Sequence, residues 1–220
     1  MKVGILGLVG SGKSTFSKML QEELITLGHN FSLESYAKPL KVLTSTIFDL
    51  TLDELEDREL KETPKEIDPD YTIQAVFNLL NKIIQFTQEE LETASEKYFE
   101  VLGNKTYLSP REFQQLFGTD VVRATKSTAW VDYLQAKKGN LIVTDVRFEN
   151  EVCDINFLMM REQYVPKPTH ISEHFAWSLE NRTEYPINTV DYYIDNAKSV
   201  TLQELQLVAK RHAHRVAKYL

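Results

Sequence analysis

The sequence predicts an α/β fold, a central parallel sheet flanked by helices in three layers, with a helical insertion. Three observations carry that expectation. The apolar run VGILGL (3–8) opens onto glycines, as a buried parallel strand does. The segment from Lys13, KSTFSKMLQEELITLG, places Phe16, Met19, Leu20, Leu24 and Leu27 at helical spacing, with Gly28 where a C-cap belongs. NFSLESY (30–36) alternates as a second strand, so strand, helix and strand follow at the length of a βαβ unit.

Further elements follow in order. After Pro39 the stretch LKVLTSTIFDL is helical, as is Leu52 to Leu60, and the polar KETPKEIDPDY with its two prolines reads as a loop. From Ile73 to Leu102 apolar residues recur at three and four, and the second half is acidic and weakly amphipathic. Residues 50–105 are therefore expected to be a helical insertion within a single domain of 1–220, since no linker bounds them. SPREFQQLFGTDVVR (109–123) begins with Ser109 as N-cap, Pro110 in the first turn and Glu112 placed for a capping box. WVDYLQAKKG continues helically toward Gly139. NLIVTDVRF (140–148) is the clearest buried strand, DINFLMMR (154–161) and VDYYIDN (190–196) are two more, and a closing helix starts at Ser199 or Thr201.

Composition narrows the class. At 220 residues, with 42% hydrophobic and 26% charged residues, the chain reads as an ordinary soluble globular protein. Its formal charge of −7 argues against nucleic acid as the main partner, yet leaves room for a small nucleotide in a local basic pocket. The single cysteine, Cys153, excludes an internal disulfide framework, suits a reducing compartment and reads as a small buried residue. No apolar run approaches the roughly 20 residues that span a bilayer. VGILGLVG has no cleavage pattern of a signal peptide. The expectation is a cytoplasmic protein without a membrane partner.

Half of the eight glycines, Gly4, Gly7, Gly10 and Gly12, fall within the first twelve residues. GLVGSGKST (7–15) fits the phosphate-binding pattern G-x-x-x-x-G-K-[ST] at Gly7, Gly12, Lys13 and Ser14. Such a loop must let successive backbone N–H groups close on a phosphate, and side chains would block the approach. The helix that follows offers its free N–H groups and positive dipole end to the same anion. Lys13 reaches the outer phosphates and the Ser14 hydroxyl ligates magnesium, which makes Gly10, Ser11, Gly12, Lys13, Ser14 and Thr15 the expected ATP-binding residues.

Parallel strands deliver ligand-facing residues at their carboxyl ends, and Asp145 and Arg147 follow LIVT at such an end. The acid suits the magnesium shell or an acceptor oxygen, and the arginine a second phosphate. A GTPase would carry D-x-x-G here and N-K-x-D later, and a transporter-type ATPase an LSGGQ signature; none is present. A small-molecule kinase remains. A nucleotide-dependent switch is the rival of another class.

SYAKPLK (35–41), the SPREFQQLFGTDVVR helix, IVTDVRFENE (142–151) and HISE (170–173) together resemble bacteriophage-type deoxynucleoside monophosphate kinases. The likeness runs from Lys2 to about Leu205 and skips 62–105. It implies transfer of the γ-phosphoryl group of ATP, with magnesium, to a deoxynucleoside monophosphate. On that resemblance Lys41, Arg111 and Arg147 take the acceptor phosphate, and Asp145 takes the metal or an acceptor oxygen. Arg161 stabilises the moving phosphoryl group from a lid at about 161–180, and Asn196 lies near the adenine. Trp130 and Glu173 complete the expected substrate set, although aromatic residues at helical spacing are more often core. The sequence departs from the family at Lys38, where an acid is usual. Dephospho-coenzyme A kinase shares the layout and is the nearest enzymatic rival. Expected partners are small-molecule nucleotides, with a homodimer allowed.

Overall fold

The computed structural model describes residues 1–103, 105–160, 168, 170–181, 183 and 189–220, with the side chain of Arg58 excepted. By packing, the chain divides into two compact units: Met1–Ser35 with Lys138–Leu220, and Tyr36–Lys137. The first begins with β1 (Lys2–Leu6), α1 (Lys13–Thr26) and β2 (Phe31–Glu34). The second holds α2 (Lys38–Phe48), α3 (Arg58–Glu62), β3 (Lys65–Glu66), α4 (Pro69–Leu79), α5 (Gln88–Val101), β4 (Tyr107–Leu108), α6 (Pro110–Gln115) and α7 (Ala129–Gln135). The chain then returns to the first unit for β5 (Asn140–Val143), β6 (Ile155–Met160), α8 (His174–Asn181), β7 (Tyr192–Asp195) and α9 (Leu202–Val216).

In the first unit the expected parallel sheet is present, five strands in the order β2-β5-β1-β6-β7. Every pairing in it is parallel, with Val3 of β1 opposite Ile142 on one side and Ile155 on the other. β1 is central and buried from Val3 to Leu6, so the loop after it leaves from the middle of the sheet's carboxyl edge. α1 and α9 cover the sheet: Phe16, Leu20 and Leu24 join Leu205, Ala209 and Val216 over Ile142, Phe157 and Ile194. Of the two candidate caps for the closing helix, Thr201 is the one used. Its Oγ1 accepts from the Glu204 N–H at 3.2 Å and the Glu204 carboxylate accepts from the Thr201 N–H at 2.8 Å. The strand expected over 140–148 stops at Val143, because the chain turns at Asp145 to Phe148 to leave the ladder.

The second unit is largely helical, and by packing it spans Tyr36–Lys137 where the sequence suggested an insertion of about 50–105. KETPKEIDPDY is not all loop. Lys65–Glu66 pairs antiparallel with Tyr107–Leu108, and Asp68 caps α4, accepting from the N–H groups of Asp70 and Tyr71 at 2.9 and 3.1 Å. Two-residue strands are too short to leave a period in the sequence. The helical run expected over 73–102 breaks after a π-helical turn at Leu80–Ile84, with Gln85 at φ 58°, and restarts behind a capping box of Thr87 and Glu90. Ser109 caps α6 as expected, accepting from the Glu112 N–H at 3.1 Å. The Glu112 carboxylate binds Lys105 at 3.1 Å instead of closing the box. α6 then widens into a π-helix over Leu116–Arg123. Within it a Cβ on Gly118 would lie 2.6 Å from the Leu40 side chain. Among the described residues no helix is long and apolar enough to cross a membrane.

Candidate functional site

The loop between β1 and α1 owes its shape to two glycines. Gly7 has φ 144°, and a Cβ there would lie 2.6 Å from the Met159 carbonyl oxygen. Gly12, at φ 93°, is the N-cap of α1, and a Cβ there would lie 2.4 Å from the Asn196 amide nitrogen. No side chain caps α1 and no acidic residue occupies its first turn. A 14-residue helix thus presents its first N–H groups and positive dipole end without an internal counter-charge. Lys13 lies over the same loop, its Nζ donating to the carbonyls of Gly7 and Leu8, each at 2.7 Å. Burial of the ammonium, reinforced by the Arg147 guanidinium, lowers its pKa from 10.5 to about 8, against the pull of Asp145, Glu173 and Glu180.

Two cavities meet at Lys13, both within the first unit. The larger, about 470 Å³, has Gly10, Gly12, Lys13, Ser14 and Thr15 on one wall and Asn196, Val200 and Leu205 on another. Ser11 does not line it. Its side chain is 2% exposed and turned inward, its Oγ without a hydrogen-bond partner among the described residues. Asn196 spends its amide on the loop, donating from Nδ2 to the Ser11 carbonyl at 2.9 Å, and its own N–H on the Met160 carbonyl at 2.8 Å.

The smaller cavity, about 30 Å³, is lined by Gly7, Leu8, Lys13, Asp145, Arg147, Ser172 and Glu173. It brings four of the expected residues, Lys13, Asp145, Arg147 and Glu173, to one place. Asp145 is buried at 9% exposure, and Arg147 is half-buried with its backbone N–H donating to Glu151 Oε2 at 2.7 Å. Ser172 donates its N–H to His170 Nδ1 at 3.2 Å, so that nitrogen accepts. His174 Nε2 lies 2.7 Å from the Pro168 carbonyl and must carry a proton to donate to it.

Three expected substrate residues belong to the second unit. Lys41 pairs with Glu56 at 2.7 Å, and the Arg111 Nε donates to Glu62. Trp130 is 4% exposed and its indole N–H donates to the Gly118 carbonyl at 3.1 Å, so its ring belongs to that unit's core rather than to a base-stacking surface. Arg161 and the lid's 161–167 stretch lie outside the described residues. The described remainder of the lid is helical, a 3₁₀ turn at Ile171–Glu173 running into α8.

Sequence reasoning missed Glu180, which acts electrostatically on Lys13. It follows Glu173 by seven residues, two helical turns, and that spacing was available as a signal. Glu151 ends the IVTDVRFENE stretch that carries the resemblance but was given no role of its own; it is a carboxylate 2% exposed behind the Asp145–Arg147 turn. Among the described residues no group of three or more His, Cys, Asp or Glu could hold a metal. Of the two expected magnesium ligands, Ser14 lines the larger cavity and Asp145 the smaller, a hydroxyl and a carboxylate of the oxygen chemistry that magnesium takes. No protein-family model matches the chain, and no curated protein matches it in sequence.

Proposed function

We propose that the protein is a cytoplasmic P-loop kinase that transfers the γ-phosphoryl group of ATP to a deoxynucleoside 5′-monophosphate. The observation that carries this reading is the approach of two cations, Lys13 and Arg147, at one small cavity beside an uncapped helix N-terminus. Burial first, and the like charge of Arg147 second, lower the Lys13 pKa, a cost that an anion between the two cations offsets. A nucleoside fits the adjoining 470 Å³ cavity, where the aliphatic Val200 and Leu205 supply an apolar wall.

In the reaction the triphosphate lies along the Gly7–Thr15 loop, its β- and γ-oxygens held by loop N–H groups and the Lys13 ammonium. Arg147 holds the acceptor phosphate in line with the γ-phosphorus. An acceptor oxygen attacks that phosphorus, the bond to the β–γ bridging oxygen breaks, and ADP and the deoxynucleoside diphosphate leave. Magnesium, held by Ser14 and Asp145 together with phosphate oxygens, would neutralise charge between the β- and γ-phosphates. What the chain itself supplies is position and positive charge, the main needs of phosphoryl transfer.

The test is ADP formation from ATP with each deoxynucleoside monophosphate supplied in turn. Stimulation by at least one supports the reading, and stimulation by none of them overturns it. Stimulation by dephospho-coenzyme A alone would mark the rival kinase.

A further inference from the structure

The turn that carries Asp145 and Arg147 has no ladder of its own, since β5 ends at Val143. One buried oxygen holds two of its N–H groups. Glu151 Oε2 accepts the backbone N–H of Arg147 at 2.7 Å and that of Phe148 at 3.2 Å. The Glu151 backbone N–H returns to the Phe148 carbonyl at 3.0 Å, closing the 3₁₀ turn Glu149–Glu151 on itself. Burying a carboxylate is expensive unless its oxygens are occupied, and this one is 2% exposed. A three-residue turn on a surface loop gives little reason to bear that cost. The N–H held at the shorter distance is that of Arg147, whose guanidinium shares the small cavity with Lys13.

We infer that Glu151 is a positioning residue, acting through Arg147 to aim its guanidinium into the small cavity that Lys13 also lines. The inference rests on the kinase reading only for the name of the anion held there. One oxygen accepts both N–H groups, so a glutamine, whose amide oxygen can do the same, replaces it. A methionine of similar volume fills the space and accepts from neither.

Glu151→Met, Glu151→Gln, Arg147→Ala and the Glu151→Met/Arg147→Ala pair are compared by steady-state kinetics, and by calorimetry with inorganic pyrophosphate. Glu151→Met is expected to raise the acceptor KM about tenfold while the ATP KM stays within twofold. Glu151→Gln should remain within threefold of the unmodified protein for both. In the double variant the loss should be no larger than for Arg147→Ala alone, because the two act as one unit. The same ranking is expected for pyrophosphate affinity, which needs no turnover. If no acceptor supports turnover, the kinase reading fails and the pyrophosphate ranking still decides the role of Glu151. Folded Glu151→Met with unchanged acceptor KM and pyrophosphate affinity, or losses that multiply in the double variant, would overturn the inference. Should Glu151→Met not fold, Glu151→Asp takes its place, one methylene too short to reach both N–H groups, with the same outcomes.

Discussion

The amide nitrogen of Asn196, just beyond β7, lies 2.9 Å from the carbonyl oxygen of Ser11 in the loop after β1, and fills the space a Cβ on Gly12 would need. Residues 185 positions apart in sequence thus hold the loop's shape between them. Asn196 was expected near an adenine; its amide is committed to the loop between β1 and α1.

Asn196→Asp should therefore act on the donor. It replaces an N–H donor by a carboxylate facing the Ser11 carbonyl and, on the proposed kinase reading, puts negative charge beside the triphosphate. Losing such a bond with its partner left unsatisfied costs about 1–3 kcal/mol, equivalent to an ATP KM raised roughly 5- to 150-fold. The acceptor KM should hold. An ATP KM that does not move would show that the Asn196–Ser11 bond is incidental to the loop. Gly12→Ala should be worse, since it adds a Cβ both at positive φ and against Asn196.

The lowered pKa of Lys13 sets a pH limit. Below about 8 the ammonium is charged in the free protein and available to phosphate; above it the charge is lost. The value of kcat/KM for ATP reports the free protein, so it should fall about tenfold per pH unit above that point. Arg147 contributes to the lowering, so Arg147→Ala should carry the descending limb to higher pH. A profile flat to pH 10 would refute this account. Lys13→Ala should abolish transfer at any pH.

Arg147→Ala should also weaken the acceptor. If its pair with the acceptor phosphate is desolvated, the loss costs on the order of 2–5 kcal/mol, and most of it should appear in the acceptor KM rather than the ATP KM. Acceptor kinetics that are indifferent to the change would remove Arg147 from the acceptor site.

Trp130 should matter to stability and not to substrate. Its ring is buried and its N–H is taken by Gly118, so Trp130→Phe leaves that carbonyl without its donor at a cost of about 1–3 kcal/mol. Chemical denaturation reads the loss. An acceptor KM changed tenfold in the folded variant would restore Trp130 to the substrate site.

What was legible in the sequence was whatever leaves a local period or a local motif. The strand–glycine–helix opening, the buried strand before Asp145 and the caps at Ser109 and Thr201 are all set within a few residues. Their structural counterparts are β1, α1, β5, α6 and α9. The ribbon of Lys65–Glu66 with Tyr107–Leu108 was illegible because its partners are distant and each strand is two residues long. Trp130 illustrates the other limit. An aromatic residue looks alike in sequence whether it stacks on a ligand or fills a core, and only the tertiary partner Gly118 decides. Glu151 was hidden in the same way, since a glutamate in a polar turn reads as solvated until its burial is known.

His212 on α9 gives an acid-stability prediction independent of any activity. It is 6% exposed, its ring set edge-on to Phe157 and Tyr192 at centroid distances of 5.1 and 4.8 Å. Its Nδ1 has no hydrogen-bond partner among the described residues. Burial, then the charges of Arg215 and Arg211, lowers its pKa from 6.5 to about 4. The unfolded chain therefore binds a proton at this residue between pH 6.5 and about 4 that the folded chain does not, and stability falls as pH drops through that window. His212→Phe removes the proton and keeps an aromatic ring against Phe157. Its unfolding free energy by urea titration should decline less between pH 7 and pH 4.5 than that of the unmodified protein. Two curves that run parallel across that interval would show that His212 is charged in the fold and that the packing of α9 accommodates it.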